Sequence, residues 1–496
     1  MKKYDILENI KIEKLIFGWS GLATAPDGRR IIISGGAIPD ALVNLRILKT
    51  KKNHIEAQIF QTVKKSPLEK EIPSKWQLYG GCKWLPIPYE KQLEIKEQQI
   101  HEAFHHLFHR HTVSSEKIWT SSSMKLASSE SQTVLDSSVS NFSSVEWHPI
   151  IASPESEHYR NKVEFSWGKY ISEREWVHDE YRFGFHVQGQ FDRIEDCRYC
   201  VLATDTVNAI FRDIDSFARN SEFPTYDPKT GVGFWRHLVV REAKKTGEIM
   251  LVFSVNALYE DAHIQSAFQS LIEKITQKYP QVVSIYFFEN TGRADIVTGN
   301  PILLFGKETL TDELLGLSFD IAPKSFFQVN SLGAEKLYTS AIESIKNKWW
   351  ILLDLYAGTG TIGILLSRYF ERVYSVELVE SASRDGEANA RRNSVNNIEF
   401  INKKVEDFAL EFSNSNGKAD TIIVDPPRDW LHPSAIPHIL SFGAKEIIYV
   451  SCNPATLVRD IEAFIGENTY SITDITPVDM FPHTHHIETV VRLEKI

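Results

Sequence analysis

The chain has 496 residues, too many for one ordinary hydrophobic core, so we expect two or three domains. Its 42% hydrophobic and 24% charged residues are typical of a soluble globular protein. The longest apolar runs fall well short of the roughly 18 residues that cross a bilayer, which excludes a membrane-spanning helix. Four cysteines exclude a disulfide framework in so long a chain, and this favours a cytoplasmic location.

Charge is distributed unevenly along the chain. The formal net charge of −10 argues against a nonspecific nucleic-acid coat. Residues 1–65 nevertheless carry twelve Lys or Arg and six Asp or Glu, a balance of +6, which leaves −16 for the remainder. A basic N-terminal module on an acidic body is compatible with an RNA-binding arm, although a solvated lysine-rich surface would give the same pattern.

The N-terminal segment alternates short β-like runs with turns that contain glycine. Strands are predicted over residues 11–16, 30–34, 41–48 and 54–63, and a turn over 18–21. This spacing predicts a small OB-like barrel over residues 1–66.

A helix and an insertion follow the predicted barrel. Residues 89–111 have helical apolar periodicity, and His101, His105 and His109 lie at i, i+4 spacing. Since no glutamate of a zinc signature accompanies them, these histidines indicate a surface or partly packed face. Residues 113–145 are rich in serine and poor in apolar residues, so we expect a flexible insertion there.

The segment 67–315 predicts a mixed α/β middle domain around that insertion. Arg236 and Arg241 are candidates to bind phosphates, and surface salt bridges are the alternative for both. Predicted strands cover 162–167, 182–187, 238–241, 249–255 and 284–289, and predicted helices cover 207–217 and 264–278.

The C-terminal region, 316–496, contains a strand followed by a glycine loop. Residues 351–356 predict a buried strand, and glycines directly after it let the backbone approach a ligand at a helix N-terminus. A second predicted strand ends in Glu377, nineteen residues after Gly358, where a carboxylate can accept hydrogen bonds from ribose hydroxyls. The pattern suits either a dinucleotide or S-adenosylmethionine.

Candidate site residues lie at the ends of two further predicted strands. A predicted strand ends at Asp425, which two prolines follow; methyltransferases with a Rossmann-like fold use such an element to line the substrate pocket, and dehydrogenases do not. Cys452 lies between a predicted strand and a helix that begins at Pro454. A helix N-terminus lowers a thiol pKa from roughly 8.5 toward neutrality, which favours a nucleophile. A small buried thiol is the alternative.

Five motifs together resemble one enzyme family. The chain resembles the RNA uracil-C5 methyltransferases of the RlmD/RumA and TrmA type, because the motifs occur in that family's order. Residues 7–65 also resemble the RNA-binding TRAM barrel of that family. The motifs are Ser325-Phe326-Phe327-Gln328-Val329-Asn330, Asp354-Leu355-Tyr356-Ala357-Gly358-Thr359-Gly360, Asp425-Pro426-Pro427-Arg428, Ser451-Cys452-Asn453-Pro454 and the closing block 483–488.

The resemblance implies an α/β fold with a C-terminal Rossmann-like domain that binds S-adenosylmethionine. It implies Cys452 as the nucleophile that adds to uracil C6 and Glu488 as the base that removes the C5 proton. Asp425 is implied to orient the cofactor or the flipped uracil. The residues implied to bind the cofactor are Gln328, Tyr356, Thr361, Glu377 and Asp425.

The implied substrate is a uridine in structured RNA. We expect 23S rRNA, with a tRNA T-loop as the alternative, and we expect a monomer without a membrane partner. Two other classes stay open. A methyltransferase for nitrogen or oxygen would not require Cys452 or Glu488, and a noncatalytic RNA-binding relative would tolerate the lost cluster ligands described next.

The chain departs from the family pattern at two places. Many members hold an iron-sulfur cluster through a Cys-x5-Cys-Gly-Gly-Cys motif and a distant cysteine, but Pro73 and Tyr79 replace two of these ligands here. Only Cys82 and Cys197 remain, and a cluster usually requires four thiolates, so we expect none. Lys404 stands where the family usually has an acid near the adenine, which leaves adenine recognition unassigned.

Overall fold

The computed structural model describes residues 3–73, 81–119, 145–172, 177–187, 189–348, 350–414, 417–427, 431–432, 434–466 and 469–496. Within these ranges the chain forms sheets of six, seven and eight strands and a two-stranded hairpin, which is a mixed α/β architecture. None of the helices in these ranges is long and apolar enough to cross a membrane.

The N-terminal sheet has the strand order β1-β5-β6-β4-β3-β2. Alternate residues of β4 and β5 are buried, so one face of each strand packs into the core. Strands predicted at 30–34, 41–48 and 54–63 are confirmed, and two strands replace the one predicted at 11–16. The turn predicted over 18–21 is wrong in its second half, since Ser20 and Gly21 belong to β3 and Gly21 pairs with Ile33 of β4. The strands are β1 (Ile6–Lys11), β2 (Lys14–Ile16), β3 (Ser20–Thr24), β4 (Arg30–Ser34), β5 (Leu42–Thr50) and β6 (His54–Lys64).

The first helix, α1 (Tyr89–Trp119), is longer than the sequence predicts. It continues through residues 113–119, so the insertion does not begin at 113; residues 120–144 of the serine-rich segment lie outside the described residues. The predicted histidine face is partly packed, because the ring of His101 stacks on Trp147 at 4.1 Å.

The middle sheet has the order β10-β9-β8-β11-β12-β13-β14. Helices α2 and α3 pack on it through a core that includes Phe211 and Phe268, which confirms the predicted mixed α/β elements. In chain order the elements after α1 are β7 (Glu146–Trp147), β8 (Lys162–Ser172), β9 (Val177–His186), β10 (Ile194–Asp196), α2 (Asp205–Arg219), β11 (Trp235–Glu242), β12 (Ile249–Val255), α3 (Ala262–Lys278), β13 (Val282–Glu289) and β14 (Asn300–Gly306).

Two arginines of β11 have a role that neither sequence alternative predicted. Arg236 is 1% exposed and donates to the backbone carbonyl of Asn290 at 2.7 Å. Arg241 is 4% exposed and donates to the carbonyl of Ser325 at 2.6 Å. Both guanidinium groups therefore satisfy buried backbone oxygens and neither lies at the surface to bind phosphate or form a solvated salt bridge.

The C-terminal sheet has the order β19-β18-β17-β20-β21-β23-β22-β7. Its first five strands are parallel, and β23 runs antiparallel to β21. The remaining elements are β15 (Leu310–Leu314), β16 (Leu317–Ile321), α4 (Ser331–Ser344), β17 (Ile351–Leu355), α5 (Thr361–Leu366), β18 (Arg372–Glu377), α6 (Glu380–Arg392), β19 (Ile398–Asn402), α7 (Val405–Asn414), β20 (Thr421–Val424), α8 (Ala435–Ser441), β21 (Glu446–Ser451), α9 (Pro454–Ile465), β22 (Tyr470–Val478) and β23 (Glu488–Lys495).

Two segments from the first third of the chain complete this C-terminal unit. The apolar face of α1, with Ile100, Phe104 and Leu107, belongs to the same core as Leu353 and lies against α9. Strand β7 pairs in parallel with β22 at the edge of the sheet. The C-terminal sheet thus buries surface contributed by residues far away in sequence.

Candidate active site

The carboxyl ends of β17, β18, β20 and β21 meet at one edge of the C-terminal sheet. In a parallel sheet this edge is where ligands bind, because connecting loops and helix N-termini converge there. Four predicted site residues follow or end these strands: Tyr356 after β17, Glu377 at the end of β18, Asp425 after β20 and Cys452 after β21.

The glycine loop after β17 is shaped by close packing. Tyr356 and Gly360 have φ values of 60° and 66°, a left-handed conformation that reverses the chain between strand and helix. Gly363 must lack a side chain, since a Cβ there would lie 2.7 Å from the Asp354 carboxylate and 2.5 Å from Ser375 Oγ. The first turn of α5 can therefore sit directly against β17 and β18.

Glu377 binds the glycine loop from the neighbouring strand. Its Oε2 accepts a hydrogen bond from the Gly358 amide at 2.9 Å, and its Oε1 accepts one from the Val379 amide at 2.7 Å. Each carboxylate oxygen keeps a second lone pair, so the group can still accept hydrogen bonds from a ligand. Leu378 and Val379 beside it are 61% and 54% exposed, which provides an apolar surface next to that carboxylate.

Two carboxyl groups in the cavity have raised pKa values. Burial raises the pKa of Asp354 to about 7, although Ser375 Oγ and the Gly363 amide donate hydrogen bonds to it. Burial also raises the pKa of Asp425 to about 7. Near neutral pH each group is therefore divided between its protonated and ionised forms, and such shifted pKa values are common at functional sites.

Cys452 occupies the strand-to-helix junction that the sequence predicts. Strand β21 ends at Ser451, and α9 begins at Pro454 with Asn453 as its N-cap. The side chain of Asn453 accepts a hydrogen bond from the Ala455 amide at 3.1 Å, and the Asn453 amide donates to Ser451 Oγ at 3.2 Å. This capping fixes the backbone around a partly exposed thiol at a helix N-terminus.

Glu488 reaches the same place from the antiparallel strand. Ser451 pairs with Thr489, so the next residues along the two strands are Cys452 and Glu488. Glu488 is 5% exposed and lines the same cavity as Cys452. Two residues 36 positions apart in sequence, 488 minus 452, are therefore brought to one end of the β21–β23 pair.

The segment before Glu488 is held by α1. Lys96, fully buried, pairs with Asp479 at 2.7 Å and also donates to the carbonyl of Phe481. Gln92 Nε2 lies 2.9 Å from Nδ1 of His483, and the backbone of His483 donates to Gln92 Oε1. Burial, with the charges of Lys70 and Lys96, lowers the pKa of His483 to about 3, so its ring is neutral near pH 7.

The backbone around Gln328 is held by Asn161, the residue before β8. Asn161 Nδ2 donates to the carbonyl of Gln328 at 2.7 Å, and the Asn161 amide donates to the carbonyl of Val329. The hydroxyl of Tyr338, a residue of α4 that the sequence analysis missed, lies near the Gln328 side chain. Tyr338 stands 4% exposed in the cavity wall.

Tyr338 lies close to three acidic residues of the site. Burial raises its pKa, and the nearby charges of Asp425, Asp354 and Glu488 raise it further. Its hydroxyl thus remains protonated and available as a donor among three acids. An aromatic residue inside a helix gives no sequence signal for such a place, because its position depends on how α4 packs against the sheet.

One cavity of about 1500 Å³ unites these side chains. Its volume exceeds that of an ordinary small-ligand pocket, so it has room for both a cofactor and a nucleotide. Every residue that the sequence analysis selected for catalysis or cofactor binding lines it: Gln328, Tyr356, Thr361, Glu377, Asp425, Cys452 and Glu488.

One position where the chain departs from the family pattern, Lys404, lines the same cavity. Cys82 and Cys200 line it too, while Cys197 is buried in the core of the middle sheet. Pro73 ends a described range, and Tyr79 lies outside the described residues. The expectation of no iron-sulfur cluster remains a prediction.

Comparisons with known proteins agree on an RNA methyltransferase. The model of the family described as tRNA (Uracil-5-)-methyltransferase matches residues 303–496. An uncharacterized RNA methyltransferase of Clostridium acetobutylicum is 34% identical over 503 residues, covering 100% of this chain and 99% of that protein. Another from Bacteroides thetaiotaomicron is 32% identical over 491 residues, covering 96% and 99%.

A solved structure is similar over nearly the whole chain. It is the crystal structure of the Pyrococcus abyssi tRNA (uracil-54, C5)-methyltransferase in complex with S-adenosyl-L-homocysteine. The TM-score is 0.70 at 25% sequence identity, and the match covers 98% of this chain and 100% of that one.

Proposed function

The chain belongs to the tRNA (uracil-5-)-methyltransferase family and is an S-adenosylmethionine-dependent RNA methyltransferase; on that premise, we propose that it methylates C5 of a uridine in structured RNA through a covalent adduct with Cys452. The observation that carries the proposal is the register of β21 and β23, which brings Cys452 and Glu488 to one end of a strand pair beside the glycine loop.

The chemistry explains why a thiol and a carboxylate are both required. Uracil C5 is a poor carbon nucleophile, so a thiolate must first add to C6. As the Cys452 sulfur bonds to C6, the electron pair of the C5–C6 double bond makes C5 an enolate carbon. C5 would then accept the methyl group that S-adenosylmethionine supplies, with the sulfur–methyl bond broken and S-adenosylhomocysteine as the leaving group. Glu488 then removes the C5 proton. The electrons of that C–H bond restore the double bond and expel the Cys452 thiolate.

The residues around the glycine loop fit the cofactor. Glu377 is proposed to accept hydrogen bonds from the ribose hydroxyls, with the exposed side chains of Leu378 and Val379 against the adenine. This apolar surface offers adenine recognition that needs no acid at Lys404. Gln328, Tyr356, Thr361 and Asp425 are proposed to surround the remainder of the cofactor.

The N-terminal sheet is proposed to bind RNA as a TRAM-like barrel over residues 1–66. The guanidinium of Arg46 lies 4.5 Å from the ring centroid of Phe60, and Phe60 is 49% exposed. Exposed aromatic rings beside cations are suited to stacking on unpaired bases. Residues 67–315 and 316–496 are proposed as the middle and methyltransferase domains of an enzyme that acts on RNA in the cytoplasm.

Release of tritium from C5 of labelled uridine in RNA tests the reaction itself. We expect release that depends on S-adenosylmethionine and disappears in Cys452→Ser. Methylation of RNA without loss of C5 tritium would assign a nitrogen or oxygen methyltransferase instead. RNA binding with neither methylation nor tritium release would assign a noncatalytic relative.

The class of RNA has two candidates. The resemblance of the sequence to the RlmD/RumA type supports 23S rRNA, whereas the Pyrococcus abyssi neighbour acts on uracil 54 of tRNA, which favours a tRNA. Unmodified transcripts of both kinds should be offered to the enzyme in competition. Mapping of 5-methyluridine in the products then assigns the substrate by the transcript that carries it.

A further inference from the structure

Two histidines and an aspartate lie close together, and one of them lines the active-site cavity. His186 ends β9, His237 lies on β11, and Asp295 lies in the loop between β13 and β14. His186 Nε2 is 3.4 Å from Asp295 Oδ2, and His237 Nε2 is 3.1 Å from Asp295 Oδ1. One atom from each side chain lies within 4.8 Å of the others, and His186 lines the cavity.

The loop that carries Asp295 is anchored by buried hydrogen bonds. Arg236 donates to the backbone carbonyls of Asn290, Gly292 and Ala294. The Asn290 side chain in turn donates to Ser254 Oγ and to the carbonyl of Ile296. These hydrogen bonds fix the backbone on both sides of Asp295. The Asp295 carboxylate is therefore held in place next to the two histidines.

His237 has one ring nitrogen satisfied and one unsatisfied. It is 1% exposed, and its Nδ1 lies 3.0 Å from Ser166 Oγ on the adjacent strand. Its Nε2 is buried and makes no hydrogen bond of regular geometry among the described residues, and its contact there with Asp295 Oδ1 is an ion-pair distance of 3.1 Å. A buried polar atom without a partner is costly and points to a group that the side chain can bind.

We propose that His186, His237 and Asp295 form a binding site for a divalent metal of the zinc class. Zinc bonds of about 2.0 to 2.1 Å in tetrahedral geometry separate neighbouring ligand atoms by about 3.3 Å. The nitrogens of His237 and His186 each lie near one of the two Asp295 oxygens, at 3.1 and 3.4 Å, which is close to that separation. Ser166 contacts the other ring nitrogen of His237, Nδ1, and would orient the imidazole that binds the metal. The metal would join β9, β11 and the anchored loop, with water at a fourth position.

The competing explanation is an ion pair in which the histidines are protonated and share Asp295. That arrangement would bind no metal. A second competitor is the set of cysteines in the same part of the chain, Cys82, Cys197 and Cys200, because thiolates also bind zinc. Cobalt separates the three explanations, since a cobalt–thiolate bond gives a charge-transfer band that nitrogen and oxygen ligands lack.

The test is titration of the metal-depleted full chain with Co²⁺ and Zn²⁺, followed by absorption spectroscopy and thermal denaturation. We expect one equivalent of cobalt, a tetrahedral spectrum without a thiolate band, and a rise in Tm with metal. His186→Gln and Asp295→Asn should each weaken binding at least about tenfold. His178→Gln is the matched control, because His178 lies on the same strand and its Nε2 lies 3.9 Å from Glu180 instead of Asp295.

Three results would overturn the site: no binding by the wild type, equal binding by the wild type and both variants, or a thiolate band. The measurement does not involve methyl transfer, so it stands apart from the proposed reaction. His186 and Asp295 are partly exposed, and their substitution leaves the buried His237 in place, so folded variants are expected.

Discussion

Ser451 pairs with Thr489 across β21 and β23, and this pairing sets the geometry of the whole site. Because β23 runs antiparallel to β21, its first residue, Glu488, lies where β21 ends and Cys452 begins the turn into α9. A shift of the register by one residue would turn Glu488 to the opposite face of the sheet. The position of the proposed base therefore depends on the hydrogen-bond ladder of this strand pair.

Cys452→Ser should abolish methyl transfer and spare cofactor binding. A serine hydroxyl is far less acidic than a thiol and cannot add to uracil C6, whereas the glycine loop and Glu377 remain intact. Methyl transfer from labelled cofactor and calorimetry measure the two properties separately. Cys200→Ser is the matched control, since Cys200 lines the same cavity but burial raises its pKa.

Retained turnover in Cys452→Ser would contradict the covalent mechanism. Loss of turnover in Cys200→Ser, with the protein folded, would show that another cysteine of the cavity is equally sensitive to replacement. The loss of turnover in Cys452→Ser would then no longer identify Cys452 as the nucleophile.

Glu377→Ala should weaken the binding of S-adenosylmethionine by about 1.5 to 3 kcal/mol, which corresponds to roughly 10- to 150-fold. The variant loses a charged acceptor that also orders the amides of Gly358 and Val379. Glu380→Ala provides the control three residues away, since Glu380 does not line the cavity. An unchanged dissociation constant in Glu377→Ala would reassign the ribose contact to another residue.

The strands of the C-terminal sheet could be predicted because they are buried in the interior of the protein. Strand β21 is buried along its whole length, and buried parallel strands are uniformly apolar, so 447–450 was recognisable from sequence. The junction at Cys452 followed from Pro454, whose fixed φ suits the first turn of a helix. The candidate site residues at strand ends could thus be predicted from local sequence patterns.

Other features depend on packing between distant segments. Strand β7 has two residues, and its partner β22 lies more than 300 residues further along the chain, so no local pattern announces it. The burial of Arg236 and Arg241 also depends on tertiary structure, because backbone carbonyls of distant loops receive their hydrogen bonds. Tyr338 is hidden from sequence for the same reason.

Asp425→Asn should change stability in a pH-dependent way. Burial raises the pKa of Asp425 from 3.8 to about 7, so the folded protein binds more protons there than the unfolded chain between these values. The stabilisation by protonation is present below pH 4 and is lost as the pH rises through 7. We expect the variant to raise the Tm of the cofactor-free protein near pH 8 and to change it little near pH 4.

The size of that shift is about 1 °C for each kcal/mol of relieved ionisation cost when all 496 residues unfold together, because the unfolding entropy is about 2.1 cal/mol/K per residue. Asp407→Asn, at an exposed position of α7, is the control for loss of a carboxylate. A shift of equal size at both pH values would mean that Asp425 does not titrate differently in the folded state.

The purified protein should contain no iron-sulfur cluster, because Pro73 and Tyr79 replace two of the family's ligands. Iron and inorganic sulfide should both be absent from anaerobically purified protein, and the broad absorbance near 400 nm that is roughly the thiolate charge-transfer region should be missing. Stoichiometric iron with sulfide would show that Cys82, Cys197 and Cys200 recruit a further ligand.

Glu488→Gln should stall the reaction after methyl transfer. If Cys452 adds to C6 and the methyl group is transferred before the C5 proton leaves, an amide at 488 cannot remove that proton, and the thioether between enzyme and RNA persists. Denaturing gels with labelled RNA should then show a shifted band that requires S-adenosylmethionine and carries the methyl label. Glu494→Gln, at the far end of the same strand, should turn over normally.

The simpler alternative gives Glu488 a structural role as the partner of Arg492. Four residues of a strand span about 13 Å, and the guanidinium of Arg492 instead contacts Glu446 at 2.9 Å, Glu494 at 3.3 Å and Asp474 at 3.5 Å. Loss of a mere ion pair would lower stability by about 1 kcal/mol or less and leave no adduct. Normal turnover of Glu488→Gln without a shifted band would therefore contradict the role of Glu488 as the base. A methyl-labelled adduct would support that role, because a weakened ion pair cannot produce one.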